Sequence, residues 1–266
     1  MDKFLNFENG IIRYVDVGEN TDCIVFLHGF TESIEIWDNF IEELKDKYRI
    51  IAIDLPGHGK TSSYSNVHSM SFMAKIVKYV LDQLKIKKIL LIGHSMGGYV
   101  SLEFASLYPD LLKGVGLFHS QAAADTQEEK DNRDRVIKIV KENKVSFLNN
   151  FIPDLFSIEN RKKLIKKIDE LKNYANMYMT TSGLIAALTG MKTRNSHLET
   201  IAKLKVPLFY ILGKQDNRIP FSKALAQIEL SSECWVEILN TGHMGYIEEP
   251  HKTLAFITKF AEYIFS

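Results

Sequence analysis

The stretch Ile89-Leu90-Leu91-Ile92-Gly93-His94-Ser95-Met96-Gly97-Gly98-Tyr99-Val100 decides how this chain is read. Four apolar residues in a row predict a strand buried on both faces. Gly-x-Ser-x-Gly follows without a spacer, and Val100, Phe104 and Leu107 then recur at helical spacing. A strand that turns sharply into a helix strains the backbone at the turn, so the residues two before and two after must be tiny. Gly93 and Gly97 meet that demand, and Gly98 lets the helix lie close to the sheet. Such a turn leaves the Ser95 hydroxyl exposed above the sheet with a helix N-terminus behind it, where developing negative charge is favoured. Ser95 is therefore a candidate nucleophile.

Upstream, Cys23-Ile24-Val25-Phe26-Leu27 is another fully apolar strand, ending in His28-Gly29-Phe30-Thr31 and followed by a helical stripe of Trp37, Phe40, Ile41 and Leu44. Ile50 to Ile53 is the next strand, running into the tight loop Asp54-Leu55-Pro56-Gly57-His58-Gly59. A helix near Phe72 to Leu84 has Ser69 or Ser71 as its cap. Phe4 to Phe7 and Ile11 to Val17 read as two strands joined at Asn9-Gly10, a hairpin signal. Downstream, Gly114 to Phe118 is a strand, and then the alternation stops. From Gln121 to about Lys205 the periodicity is helical, with dense Lys and Glu. Strands return at Pro207 to Leu212 and Trp235 to Leu239, and a final amphipathic helix follows Pro250. Strands alternating with helices predict an α/β protein with a mostly parallel sheet covered on both faces. Residues 1–120 and 206–266 then form the core domain, and 121–205 is an insertion rather than an autonomous unit.

With 33 basic and 33 acidic side chains in 266 residues, the formal charge is zero and gives no case for nucleic acid or an anionic membrane. The start, Met1-Asp2-Lys3-Phe4, has no signal-peptide pattern, and no apolar run approaches a spanning helix, so a cytoplasmic chain is expected. Cys23 and Cys234 each open a strand and suit reduced, buried thiols. No Cys/His cluster has zinc spacing and no phosphate loop is present, so neither metal nor organic cofactor is expected.

A serine hydroxyl near neutral pH needs a base, and the base needs an orienting acid. The expected chain order is nucleophile, acid, base, and only His197, His243 and His251 lie after the insertion begins to close. His197 sits in a polar helical stretch and His251 at a solvated helix start, whereas His243 lies in a flexible loop just past a strand end, where ligand chemistry concentrates. For the acid, Asp216 is the carboxylate that follows the strand Pro207 to Leu212. Asp125 is the nearest alternative, since the earlier strand end reads His119-Ser120-Gln121. An oxyanion would take hydrogen bonds from the backbone N–H of Met96 and of Phe30, with His28 packing inside its loop.

These stretches together resemble the α/β-hydrolase fold superfamily, in its serine-nucleophile branch. The matching residues are His28-Gly29-Phe30, Asp54 to Gly59, Gly93 to Gly98, Asp216 and His243. The resemblance implies eight strands, a helical cap at 121–205, Cys23 central in the sheet and Cys234 at its edge. Serine at the elbow separates the chain from the haloalkane dehalogenase and epoxide hydrolase branches, which use aspartate there. The expected activity is hydrolysis of small carboxylic esters by a monomer or homodimer. Cap residues Tyr174, Met177 and Tyr178 are expected to line the substrate pocket. Two rivals remain open: a carbon–carbon bond hydrolase or lyase with Lys192 or Arg194 aimed into the pocket, and a hydrolase-like ligand sensor.

Overall fold

The computed structural model describes residues 2–266; Met1, part of the N-terminal stretch discussed above, lies outside the described residues. Strands β1 (Lys3–Phe7) and β2 (Gly10–Val17) form an antiparallel hairpin. Phe7 pairs with Gly10, so the turn is Glu8-Asn9, one residue earlier than the sequence suggested. Gly10 serves the strand instead: a Cβ there would run into Ser62 and Tyr64.

The chain continues through β3 (Cys23–Leu27), α1 (Asp38–Leu44), β4 (Arg49–Ile53), α2 (Met70–Gln83), β5 (Ile89–His94), α3 (Met96–Leu107) and β6 (Leu112–Phe118). Helices alone then follow: α4 (Gln127–Glu142), α5 (Lys144–Phe151), α6 (Ile158–Arg161), α7 (Ile165–Tyr178), α8 (Thr181–Lys192) and α9 (Leu198–Ala202). β7 (Leu208–Gly213), α10 (Phe221–Ile228), β8 (Cys234–Leu239), α11 (Gly245–Glu248) and α12 (Pro250–Phe265) complete the fold.

The eight-stranded sheet has the order β1-β2-β4-β3-β5-β6-β7-β8, with every pair from β4 to β8 parallel. After β3 the chain goes one way to β4 and then back past β3 to β5, and a crevice opens at such a reversal beyond the strand carboxyl ends. His28, Ser95, His119, Asp216 and His243 all follow strand carboxyl ends around it. Cys23 starts the central β3 and Cys234 the edge strand β8; both thiols are free, and Cys234 is only half-buried.

Side chains alternate across the sheet. Val25, Leu27, Leu91 and Val115 pack with Val77 and Val80 of α2 and Val100 and Phe104 of α3. Ile24, Phe26, Leu90 and Ile92 pack on the opposite face with Phe40 of α1 and Ile257 and Phe260 of α12. Ser69 caps α2, accepting the Phe72 N–H at 3.1 Å. Leu107, in helical register with the buried Val100 and Phe104, is nonetheless 42% exposed at the helix's last position. The inserted helices have no core of their own: Leu148, Ala187 and Leu188 join the first cluster, and Phe156 and Ile168 the second.

Trp37 is fully buried and stacks on Phe26 with ring centres 4.6 Å apart, beneath the loops that carry the site. Trp37→Ala should cost about 3–5 kcal/mol, the usual range for emptying a buried aromatic position, measured as a lowered urea midpoint at unchanged denaturant slope.

Candidate active site

The elbow is strained as its glycine pattern demands. Ser95 has φ 49° and ψ −112°, a conformation L-residues rarely hold. A Cβ on Gly93 would fall on the Gly97 backbone, and one on Gly97 would fall on the Leu27 carbonyl. A Cβ on Gly98 would fall on the Ser120 side chain and also crowd the Gly93 carbonyl of β5 at 3.3 Å. The Ser95 N–H donates to the Phe118 carbonyl at 2.9 Å, and the Ser120 hydroxyl donates to the Ser95 carbonyl at 2.8 Å, so the end of β6 holds the turn from two sides.

The structure brings Ser95, His243 and Asp216 together. Ser95 Oγ lies 2.8 Å from His243 Nε2, and His243 Nδ1 lies 2.8 Å from Asp216 Oδ2. A carboxylate only accepts, so Nδ1 carries a proton, and in the neutral ring Nε2 offers its lone pair to the serine hydroxyl. Asp216 Oδ1 accepts the backbone N–H groups of Arg218 and Ile219, at 2.8 and 2.9 Å. Burial opposes the Asp216 charge, but the pull of His243 and the hydrogen bonds from His119 and His243 hold its carboxyl far below the usual carboxylate range.

His119 was read only as lacking a carboxylate, yet its Nδ1 lies 3.0 Å from the same Asp216 Oδ2. One ligand atom from each of His119, Asp216 and His243 lies within 4.8 Å of the others, a spacing a metal ion could use. In the arrangement present each Nδ1 faces a carboxylate oxygen and holds a proton, which is a hydrogen-bond pattern rather than a set of bare donors.

Beneath the site lies a pair that sequence reasoning missed. His94 is fully buried, with Nδ1 2.8 Å from Glu32 Oε2 and Nε2 3.0 Å from the His243 carbonyl. Both partners only accept, so both ring nitrogens donate and His94 is an imidazolium. Burial disfavours that charge, but Glu32 overrides it and raises the His94 pKa; burial likewise works against the Glu32 charge, and His94 holds that carboxyl below its ordinary value. Glu32 also accepts the Gly29 N–H at 2.6 Å and the Tyr246 hydroxyl at 3.0 Å. An ionisable residue three after Gly29 and another beside the nucleophile were the available signals.

Among the described residues, neither the Phe30 nor the Met96 N–H has an acceptor within the protein. His28 plays the structural part expected of it: Nδ1 meets the Gly29 carbonyl at 2.7 Å, and the Leu55 N–H donates to Nε2 at 2.9 Å. His251 is exposed, and His197 is buried against Glu103 at 2.8 Å. Asp125 is held in ion pairs by Arg133 and Arg194.

Ser95 and His243 border a cavity of about 480 Å³. Its apolar walls include Phe30, Tyr99, Val136, Leu188 and Met191; Arg133, Arg135, Arg218 and Lys223 supply charge, set against Asp125, Glu128 and Glu129. Tyr174, Met177 and Tyr178, expected to line the pocket, do not border it. Tyr174 donates to Glu35 beside a different cavity, Met177 is 73% exposed, and Tyr178 packs against Tyr174. Helix α7 thus turns these residues away from the site, while α4 and α8 face it. The two cap cations of the rival reading are elsewhere too: Lys192 pairs with exposed Asp134, and Arg194 pairs with Asp125 over the Tyr99 ring.

The family profile for the alpha/beta hydrolase fold matches residues 22–250. A putative 2-succinyl-6-hydroxy-2,4-cyclohexadiene-1-carboxylate synthase of Bacillus subtilis is 30% identical over 94% of this chain and 94% of its own length. A 2-hydroxy-6-oxo-6-(2'-aminophenyl)hexa-2,4-dienoic acid hydrolase of Metapseudomonas resinovorans is 25% identical, covering 98% of this chain and 92% of that one. Among solved structures, a thermophilic esterase from Thermogutta terrifontis superposes with a TM-score of 0.92 at 26% identity, over the full length of both chains.

The Glu32–His94 pair carries a testable pH signature. The lowered Glu32 pKa gives stability that is complete above its unfolded value near ~4.3 and lost as pH falls through the folded one; the raised His94 pKa gives stability that is complete below ~6.5 and lost as pH rises through the folded one. Glu32→Gln should therefore cost about 3–5 kcal/mol, the scale for orphaning a buried charge, with the largest gap to the native protein between about pH 4.3 and 6.5. Urea midpoints of both proteins across pH 3–10 measure that gap; a gap constant with pH would contradict the charge assignment.

Proposed function

The chain belongs to the α/β-hydrolase fold family and is an enzyme; on that premise we propose that it is a serine hydrolase cleaving small carboxylic esters through an acyl-enzyme. The observation that carries this reading is the unbroken run from Ser95 Oγ through the His243 ring to Asp216 Oδ2, two contacts of 2.8 Å at the edge of a cavity. His243 Nε2 takes the hydroxyl proton as Ser95 Oγ attacks the ester carbonyl. Asp216 fixes the tautomer and stabilises the imidazolium without itself taking the proton. The N–H groups of Met96 and Phe30 serve as donors to the oxyanion, each worth about 10²–10³ in rate on the scale of known oxyanion holes. The imidazolium then protonates the leaving alcohol, and water repeats the sequence on the acyl-enzyme. None of these steps uses a metal or an organic cofactor, so a chelator should leave turnover intact. Residues 121–205 act as a cap in this reading, with α4 and α8 walling the acyl site.

A second reading, a carbon–carbon bond hydrolase or lyase on the same three residues, draws on the cationic part of the wall. Arg135 and Arg218 border the cavity, and Arg218 Nε is buried without a hydrogen-bond partner among the described residues. The dienoic acid hydrolase relative makes an acidic substrate worth testing. Preference for a 2-hydroxy-6-oxodienoic acid over neutral esters, lost in Arg218→Met, would select this reading.

A fluorophosphonate probe should modify Ser95, and Ser95→Ala should abolish the adduct without unfolding the chain; an adduct elsewhere on a folded sample would refute the assignment by mass spectrometry. With p-nitrophenyl esters of increasing acyl length, Asp216→Asn should lower kcat by at least roughly a hundredfold with KM little changed, because the wrong tautomer is lost transition-state stabilisation rather than lost binding.

A further inference from the structure

His119 is held in a conformation uncommon for any residue but glycine. Its φ is +47°, in the left-handed region, which histidine enters more often than most side chains but which persists where the surrounding structure over-determines it. Its N–H donates to the Ile211 carbonyl at 2.9 Å, which locks the backbone there. The ring is fully buried, stacks on Phe118 with centres 5.2 Å apart, and presents Nδ1 to Asp216. Nε2 has no hydrogen-bond partner among the described residues, and a Cβ on Gly245 would fall directly on it. A buried nitrogen without a partner calls for an explanation. One follows from the proton count: with Nδ1–H given to a carboxylate and no acceptor at Nε2, the ring is neutral, and its bare lone pair faces a glycine.

We infer that His119 is a positioning residue that occupies half of Asp216 Oδ2 and so limits how strongly that oxygen holds the protonated His243. The inference rests on the reading of His243 as the base for Ser95. Asp216 then receives four N–H groups, from His119, His243, Arg218 and Ile219, and its charge is shared among all of them. A carboxylate shared in this way orients the base firmly but stabilises its imidazolium less than an unshared one. Burial keeps His119 itself uncharged despite Asp216, with its pKa lowered to about 4.

The surrounding charges are accounted for. His94 of β5 lies with its ring centre 6.0 Å from that of His119 and 5.1 Å from that of His243, and Glu32 pairs with it. Tyr246 of α11 donates to Glu32, Glu248 of α11 accepts the Gly242 N–H beside His243, and the Arg218 side chain acts on Asp216 from the loop after β7. None of these is changed by a substitution at 119.

The test compares two substitutions of similar size by the pH dependence of fluorophosphonate labelling at Ser95. His119→Asn places an amide N–H where Nδ1 stood and tolerates a positive φ; His119→Leu has no donor. His119→Leu should move the acid limb of the labelling rate upward by roughly one pH unit, while His119→Asn keeps the native limb. An unmoved limb in His119→Leu, or equal movement in both variants, would overturn the inference. If His119→Leu fails to fold, nitrogen NMR of the unaltered protein decides: His119 should stay neutral with its proton on Nδ1 from pH 5 to 9, and titration or an Nε2 proton would refute it. Failure of the underlying site reading looks different, as an absence of labelling at Ser95 in the native protein.

Discussion

One buried ion pair, Glu32 with His94, joins the pieces on which the site depends. Glu32 grips the Gly29 N–H in the loop after β3 and the Tyr246 hydroxyl, while His94 leads into the elbow and holds the His243 carbonyl. Pairs of this kind add little net stability compared with a well-packed apolar alternative, yet losing one partner is costly. The charge is therefore better understood as a geometric constraint than as a source of stability. Its four hydrogen bonds set the spacing between the loop after β3, Ser95 and His243, and the strained Ser95 is held at the centre of that frame.

What the sequence made legible was local. Strand β5, the glycine spacing and the helix after it follow from short-range sterics, and Ser95 stands at the strained angle those sterics require. Asp216 and His243 could be picked out because each stands in a loop after a strand, and such loops converge in a parallel sheet. The Glu32–His94 and His119–Asp216 contacts join residues 62 and 97 apart, and nothing in either neighbourhood announces the partner. The cavity wall was the least legible part. Tyr174, Met177 and Tyr178 fit a pocket by residue type, but which of the inserted helices face the site is settled by their packing against one another, and periodicity cannot choose among them.

The insertion is tied to the core by charge as well as by apolar contact. Asp125, just after β6, is clamped by Arg133 of α4 and Arg194 beyond α8, and Arg194 lies 4.1 Å from the centre of the Tyr99 ring on α3. At the other end, Arg13 binds Glu35, which accepts the Tyr174 hydroxyl of α7. These contacts fix the inserted helices against the elbow helix on one side and the loop after β3 on the other, so the cavity is bounded by both parts of the chain.

Helix α4 contributes only Val140 as a fully buried residue, yet it supplies Asn132, Arg133, Arg135 and Val136 to the cavity wall. In evolutionary terms this separates two kinds of constraint that most core helices combine. Changes at Asn132 or Arg135 alter the shape and charge of the cavity wall while leaving the packed interior alone, since both side chains are otherwise exposed. Variation at a few exposed positions of one helix can thus reshape the cavity wall without disturbing Gly93, Gly97, Glu32 or His94, none of which lies on that helix.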